Sequence, residues 1–142
     1  MVSEAFSPDF RRIVPVEAVF EKAASGFIFI EGPVWNYRDS YLIWVDIIGD
    51  TIWKWVPGQG KSVVMRPSAH ANGTTFDHLG RLVVAGWSNR NVWRLELDGS
   101  VTTLASHYQG KKINTPNDIV VKSDGNIYFT DPSNGMHLVG HQ

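Results

Sequence analysis

The stretch Thr115-Pro116-Asn117-Asp118-Ile119-Val120-Val121-Lys122-Ser123-Asp124-Gly125-Asn126-Ile127-Tyr128-Phe129-Thr130-Asp131 reads as two short apolar strands joined through Asp124-Gly125. Gly accepts the positive φ that a tight hairpin turn demands. The opening of this stretch has two counterparts upstream. Glu31-Gly32-Pro33-Val34-Trp35 and Asn72-Gly73-Thr74-Thr75-Phe76 also set an oxygen-bearing side chain just ahead of an apolar strand. A second strand follows each, Tyr41-Leu42-Ile43-Trp44-Val45-Asp46 and Arg81-Leu82-Val83-Val84-Ala85-Gly86, β-branched or aromatic and bounded by turn residues. Glu31 and Asn72 are 41 residues apart, and Asn72 and Asn117 are 45 apart. In a chain of strands, that period is the length of a four-stranded β-propeller blade. Equivalent positions of successive blades face one axis, so Glu31, Asn72 and Asn117 are expected to converge at one end of a central channel.

The rest of the chain fits an all-β fold, because apolar residues alternate or run in groups of four to six and Gly or Pro interrupts every longer stretch. Strands are predicted near 32–35, 41–46, 51–56 and 61–65 in the first repeat, near 73–77, 81–86, 91–97 and 101–105 in the second, and near 118–122 and 126–130 in the third. The 142 residues thus form a single partial propeller of about two and a half blades. Blade 1 covers about 31–66, blade 2 about 72–106 and an incomplete blade 3 about 117–135. Residues 1–23 are an N-terminal arm or outer strand, with strand-forming stretches inside 9–23. Trp44 and Trp53 are expected to be buried between blades. An open array of this size exposes its last blade, so it is expected either to belong to a longer propeller or to complete a ring as a homodimer.

Thirteen basic side chains against fourteen acidic ones imply no charged partner. Nucleic-acid binding is disfavoured, since Arg11-Arg12 and Lys111-Lys112 are the largest basic clusters. The chain has no cysteine, which removes disulfide and thiolate chemistry. Residues 1–9 lack the basic and apolar regions of a signal peptide, and no apolar run is long enough to span a bilayer. A cytoplasmic protein without a membrane partner is the expectation.

One carboxylate, Glu31, with the amide oxygens of Asn72 and Asn117 makes a set of hard donors suited to Ca²⁺ or a similar divalent cation, whereas Zn²⁺ would call for His or Cys. Glu31 and Asn117 are read as metal ligands. Asn72-Gly73 reads equally well as a turn pair, and Asn117-Asp118 after Pro116 as a turn cap. The histidines at 70, 78, 107, 137 and 141 form no ligand set, and the spacing of His137 and His141 would need a helix that Gly140 opposes. Nucleophile-elbow and nucleotide-binding glycine motifs are absent from the sequence.

Taken in order, Glu31-Gly32-Pro33-Val34-Trp35, Leu42-x-Trp44-Val45-Asp46-Ile47, Asn72-Gly73 with Asp77-x-x-Gly80-Arg81-Leu82, and Thr115 to Gly125 running on into Ile127-Tyr128-Phe129-Thr130-Asp131-Pro132 resemble the senescence-marker-protein, gluconolactonase and regucalcin family. The resemblance covers roughly residues 17–135. It implies part of a six-bladed propeller whose channel holds one divalent cation, usually Ca²⁺, and an activity that hydrolyses a small-molecule lactone. It also implies Glu31 as a metal ligand and Asn117 as a metal- or substrate-contacting amide, with Asn72 and Asp118 as further substrate contacts and Asp131 near the channel mouth. The family's fourth- and fifth-blade site residues lie beyond residue 142, so the catalytic base is not assigned. The competing class is a non-catalytic Ca²⁺-binding or protein-interaction half-propeller.

Overall fold

The computed structural model describes residues 4–133, which build two four-stranded antiparallel sheets and the start of a third. Strands β1 (Ile30–Asn36), β2 (Tyr41–Asp46), β3 (Thr51–Val56) and β4 (Gly60–Met65) pair in chain order as blade 1. Strands β5 (Ala71–Phe76), β6 (Leu82–Gly86), β7 (Asn91–Leu95) and β8 (Val101–Ala105) do the same as blade 2. A small hairpin of β9 (His107–Tyr108) and β10 (Lys111–Lys112) follows, then the paired β11 (Ile119–Val121) and β12 (Ile127–Phe129). The expected blade order is therefore observed, while the β9–β10 hairpin was not expected. Its exposed two-residue strands carry no apolar alternation that a sequence could announce. His137, His141 and the end of the expected third repeat, 134–135, lie outside the described residues.

Two points bear on what was expected. First, residues 9–23, expected as an arm or an outer strand, run as an arm that joins neither described blade. Pro8–Arg12 make a 3₁₀ turn capped by Ser7, and 13–29 enter no sheet. Pro at the first helical positions presets the φ of that turn, and Ser7 Oγ accepts the Asp9 amide at 3.3 Å. Second, Glu31 and Asn72 do not precede their strands but lie inside β1 and β5, where the register against the neighbouring strand shifts between Glu31 and Val34 and between Ala71 and Thr74. An extra residue at a bulge re-aims the side chains beside it, so a polar residue can sit inside a strand without breaking its apolar face.

The core lies between the blades. Ile43, Val45 and Ile52 of blade 1 meet Ala71, Leu82, Val84 and Trp93 of blade 2, and the other side of blade 2 packs Val83, Ala85 and Val92 on Ile119. All five residues of β6 are buried because that strand has a sheet on both faces, which is why it reads as a continuous apolar run. Each buried Val contributes on the order of 1.5–3 kcal/mol relative to exposure.

Trp44 is buried as expected, on the face of blade 1 turned away from blade 2. Alternation along β2 gives Ile43 and Val45 to the blade 2 side and turns Trp44 to the opposite face. There Trp44 and Trp53 stack at 6.5 Å, and Phe27 from the arm meets both rings edge-on at 5.2 and 5.5 Å. The Lys61 ammonium lies 4.6 Å from the Phe27 ring and 5.1 Å from Trp53, and donates to the Ser25 carbonyl at 2.7 Å. Asp46 fastens the same arm, accepting the amides of Ile28, Phe29 and Gly49 at 3.0 Å each. Burial pushes the Asp46 carboxyl up, but those amides and the nearby Arg66 charge outweigh it and hold the group below the usual Asp range.

Candidate functional site

The inner strands of the three sheets approach backbone to backbone, and glycine permits it. Gly32 has φ +55°, and a Cβ there would stand 2.9 Å from Gly73 Cα. A Cβ on Gly73 would in turn stand 2.5 Å from the Asn117 carbonyl oxygen and 2.8 Å from Asp118 Cα. Hydrogen bonds tie the row across: Thr74 Oγ1 donates to the Gly32 carbonyl at 2.5 Å and the Gly73 amide donates to the Asn117 carbonyl at 2.7 Å. The structure thus brings residues 31–32, 72–73 and 117–118 side by side.

Their side chains have one property in common. The Glu31 carboxylate and the side-chain amides of Asn72 and Asn117 bond to no described residue. Glu31 and Asn117 are exposed, whereas Asn72 is only 5% exposed. Asp118 is half engaged: its Oδ1 accepts the Ile119 amide at 2.9 Å.

Two other carboxylates have structural duties. Asp50 accepts the amides of Ser68 and His70 and the Ser68 hydroxyl, and Asp77 takes the Arg81 guanidinium at 2.7 Å with the amides of Leu79 and Arg81. Both are buried enough to be pushed up, and in both the hydrogen bonds win and lower the pKa. The described histidines are engaged locally, His70 Nδ1 on the Ile47 carbonyl, His78 Nε2 on the Lys122 carbonyl and His107 Nδ1 on Ser106.

Asn117 stands at the end of an extended strap, 113–116. Asp131 receives the Asn114 amide on Oδ2 at 2.8 Å and the Asn114 side chain on its carbonyl at 3.1 Å, while its Oδ1 is buried without a partner. Thr115, fully buried, donates to the Pro132 carbonyl at 2.6 Å. Asp131 therefore anchors the strap. From the blade 2 side the strap is gripped by Arg90, a residue the sequence did not single out. An Arg in the turn Trp87-Ser88-Asn89-Arg90 looks like any solvated turn charge, and only its 6% exposure shows otherwise.

The donor chemistry of this row, one carboxylate and two amide oxygens uncommitted to protein, fits part of the shell of a hard divalent cation. Among the described residues no group of three or more His, Cys, Asp or Glu is assembled for a metal. Any such ion would rest on Glu31 and amide donors.

An array of four-stranded antiparallel blades packed face to face defines a β-propeller fold. Residues 29–141 match the model of the SMP-30/gluconolactonase/LRE-like region, and the chain belongs to that family. It is 30% identical over 145 residues to a gluconolactonase of Zymomonas mobilis, a match that covers 92% of this chain and 41% of the relative. The X-ray structure of a provisionally named gluconolactonase from a structural-genomics programme superposes with a TM-score of 0.85 at 33% identity, over 94% of this chain and 46% of that one. The Xanthomonas campestris gluconolactonase gives 0.74 at 34% identity, over 78% and 37%. The chain thus spans less than half the length of these relatives and forms part of a six-bladed propeller. Among the described residues no helix is long and apolar enough to cross a membrane.

Proposed function

We propose that this chain carries the first part of the site of a metal-dependent lactone hydrolase, with Glu31 as its metal carboxylate and Asn117 as a shared metal and substrate contact. The supporting observation is the row of uncommitted donors at equivalent positions of three inner strands, in a chain whose relatives bear the name gluconolactonase. A Ca²⁺ or similar ion held there supplies Lewis acidity and positive charge beside a lactone carbonyl. Glu31 supplies the formal negative charge that holds such an ion. The Asn72 and Asn117 side chains each offer an amide N–H to a lactone oxygen and so orient the ring. Asp118 keeps Oδ2 available for a ligand hydroxyl, since only Oδ1 is taken by Ile119.

The test joins a calorimetric Ca²⁺ titration of the full chain to a lactonase assay with EDTA and Ca²⁺ add-back. Binding should weaken by about tenfold or more in Glu31→Gln, which removes one charge but keeps shape and an oxygen, and less in Asn117→Ala. Binding without turnover would make the chain the non-catalytic Ca²⁺-binding half-propeller. Equal affinity of Glu31→Gln and the parent would remove Glu31 from the metal shell.

A further inference from the structure

We infer that Arg90 is a positioning residue for Asn117, an inference that rests on the site reading above. Arg90 closes the turn between β6 and β7 with φ +55°, a left-handed conformation that a non-glycine residue adopts only when its surroundings fix it. Its guanidinium does not reach solvent. Nε donates to the carbonyls of Ile113 at 2.9 Å and Asn114 at 3.2 Å, and Nη2 lies 3.4 Å from the Lys112 carbonyl. These are three consecutive carbonyls, the last of β10 and the first two of the strap that runs through the buried Thr115 and Pro116 to Asn117. Burying a guanidinium is costly unless its hydrogen bonds are made. A planar fork of donors can hold several carbonyls in one fixed arrangement, which the point charge of a Lys cannot do.

The strap is thus held from two sides. Arg90 of blade 2 takes its carbonyls, and Asp131 and Pro132 take the Asn114 amide and the Thr115 hydroxyl. The next link is the Gly73 amide, which donates to the Asn117 carbonyl. Loosening the Arg90 side therefore shifts Asn117 against Asn72 and Glu31, although Arg90 touches none of the three.

The experiment compares Arg90→Lys and Arg90→Gln with Arg94→Lys, a control in the Asp77–Arg81–Glu96 ion cluster on blade 2. Two readouts are followed on the full chain: the NMR resonances of the Gly73 amide and the Asn117 side-chain amide without metal, and Ca²⁺ affinity by calorimetry. Both Arg90 variants should move the Gly73 and Asn117 resonances and weaken Ca²⁺ binding by about 10–100-fold, as removal of an outer support of a metal ligand does, while the control moves neither. A folded Arg90→Lys or Arg90→Gln with unmoved Gly73 and Asn117 resonances would overturn the inference. Loss of the fold in both variants would also overturn it, making Arg90 a stability residue. If the parent chain binds no Ca²⁺, the metal reading fails on its own and the resonances still decide the positioning role.

Discussion

The two outward faces of the array are finished differently. On blade 1, the face turned away from blade 2 is partly covered by the chain's own arm, with Phe27 wedged on Trp44 and Trp53, Lys61 over the aromatic edge and Asp46 clamping the Ile28 and Phe29 amides. On the third sheet, Val120 and Tyr128 stand 55% and 54% exposed, and among the described residues nothing covers them. A shallow cavity of about 190 Å³ lined by Ile119, Val120, Tyr128 and Phe129 marks that open face. Both are propeller faces made of the same kinds of residue. The difference is one of degree: the chain's own arm partly covers the first face and leaves an apolar hollow of about 230 Å³ beside Phe27, Ile30, Leu42 and Trp44, whereas no described residue lies over Val120 and Tyr128.

Trp44→Ala should break the arm-covered face most severely, costing about 3–5 kcal/mol as a large-to-small core change. Tyr128→Ala on the open face should cost far less, and paired urea denaturation curves check the contrast. Similar losses at both sites would show that the third face is covered in solution. Asp46→Asn comes next, at about 1.5–3 kcal/mol, the worth of one hydrogen bond to a charged acceptor, because the amide keeps one acceptor oxygen but loses the charge. Its effect has a sign in pH. The Asp46 pKa is lower in the folded chain than in the unfolded one. Its contribution is therefore complete above the ordinary Asp value near 3.9, approximately, and fades as pH falls from there through the folded value. The stability gap between parent and variant should be widest near neutrality and narrow in acid, as thermal melts across that range would record. Lys61→Met should cost about 0.5–1 kcal/mol, the worth of an exposed cation–π contact. A loss well above that would mean that the Ser25 bond, and not the ring contact, fastens the arm.

The smallest change in stability is expected from Val120→Ser, within about 0.5 kcal/mol for an exposed site. Its value lies in assembly. We propose that a second copy can use the open face, so sedimentation at tens of micromolar with Ca²⁺ should show a dimer that Val120→Ser weakens. A monomer with and without Ca²⁺ would rule out ring completion by two copies.

Much of this was legible because strands announce themselves by composition. The repeated starts at Glu31, Asn72 and Asn117 located three inner strands, and Asp124-Gly125 located a turn that the structure contains. The bulges were not legible, since a register shift depends on hydrogen bonds to a neighbouring strand and leaves no mark in the strand's own residues. The side of Trp44 was hidden for a related reason. Alternation shows that Ile43 and Trp44 face opposite ways, but not which way the next blade lies. At the site, the residue types were readable and their engagement was not. Asp131 and Glu31 look alike in sequence, yet Asp131 holds Asn114 while Glu31 holds no described residue.

The register shifts recur in phase. Blades 1 and 2 each carry one in the inner strand and one in the outer pair, the latter between Ile52 and Trp53 and between Val92 and Trp93. A single slip inverts every side chain beyond it, so two chains can be spliced within a blade only where their parity agrees. Because the parity of these two blades agrees throughout, each turns the same alternate positions of its strands toward the blade that follows it. Deleting one bulge residue would instead turn a strand inside out. Matched irregularities of this kind keep successive blades in phase, so that one rule of inward and outward positions serves both.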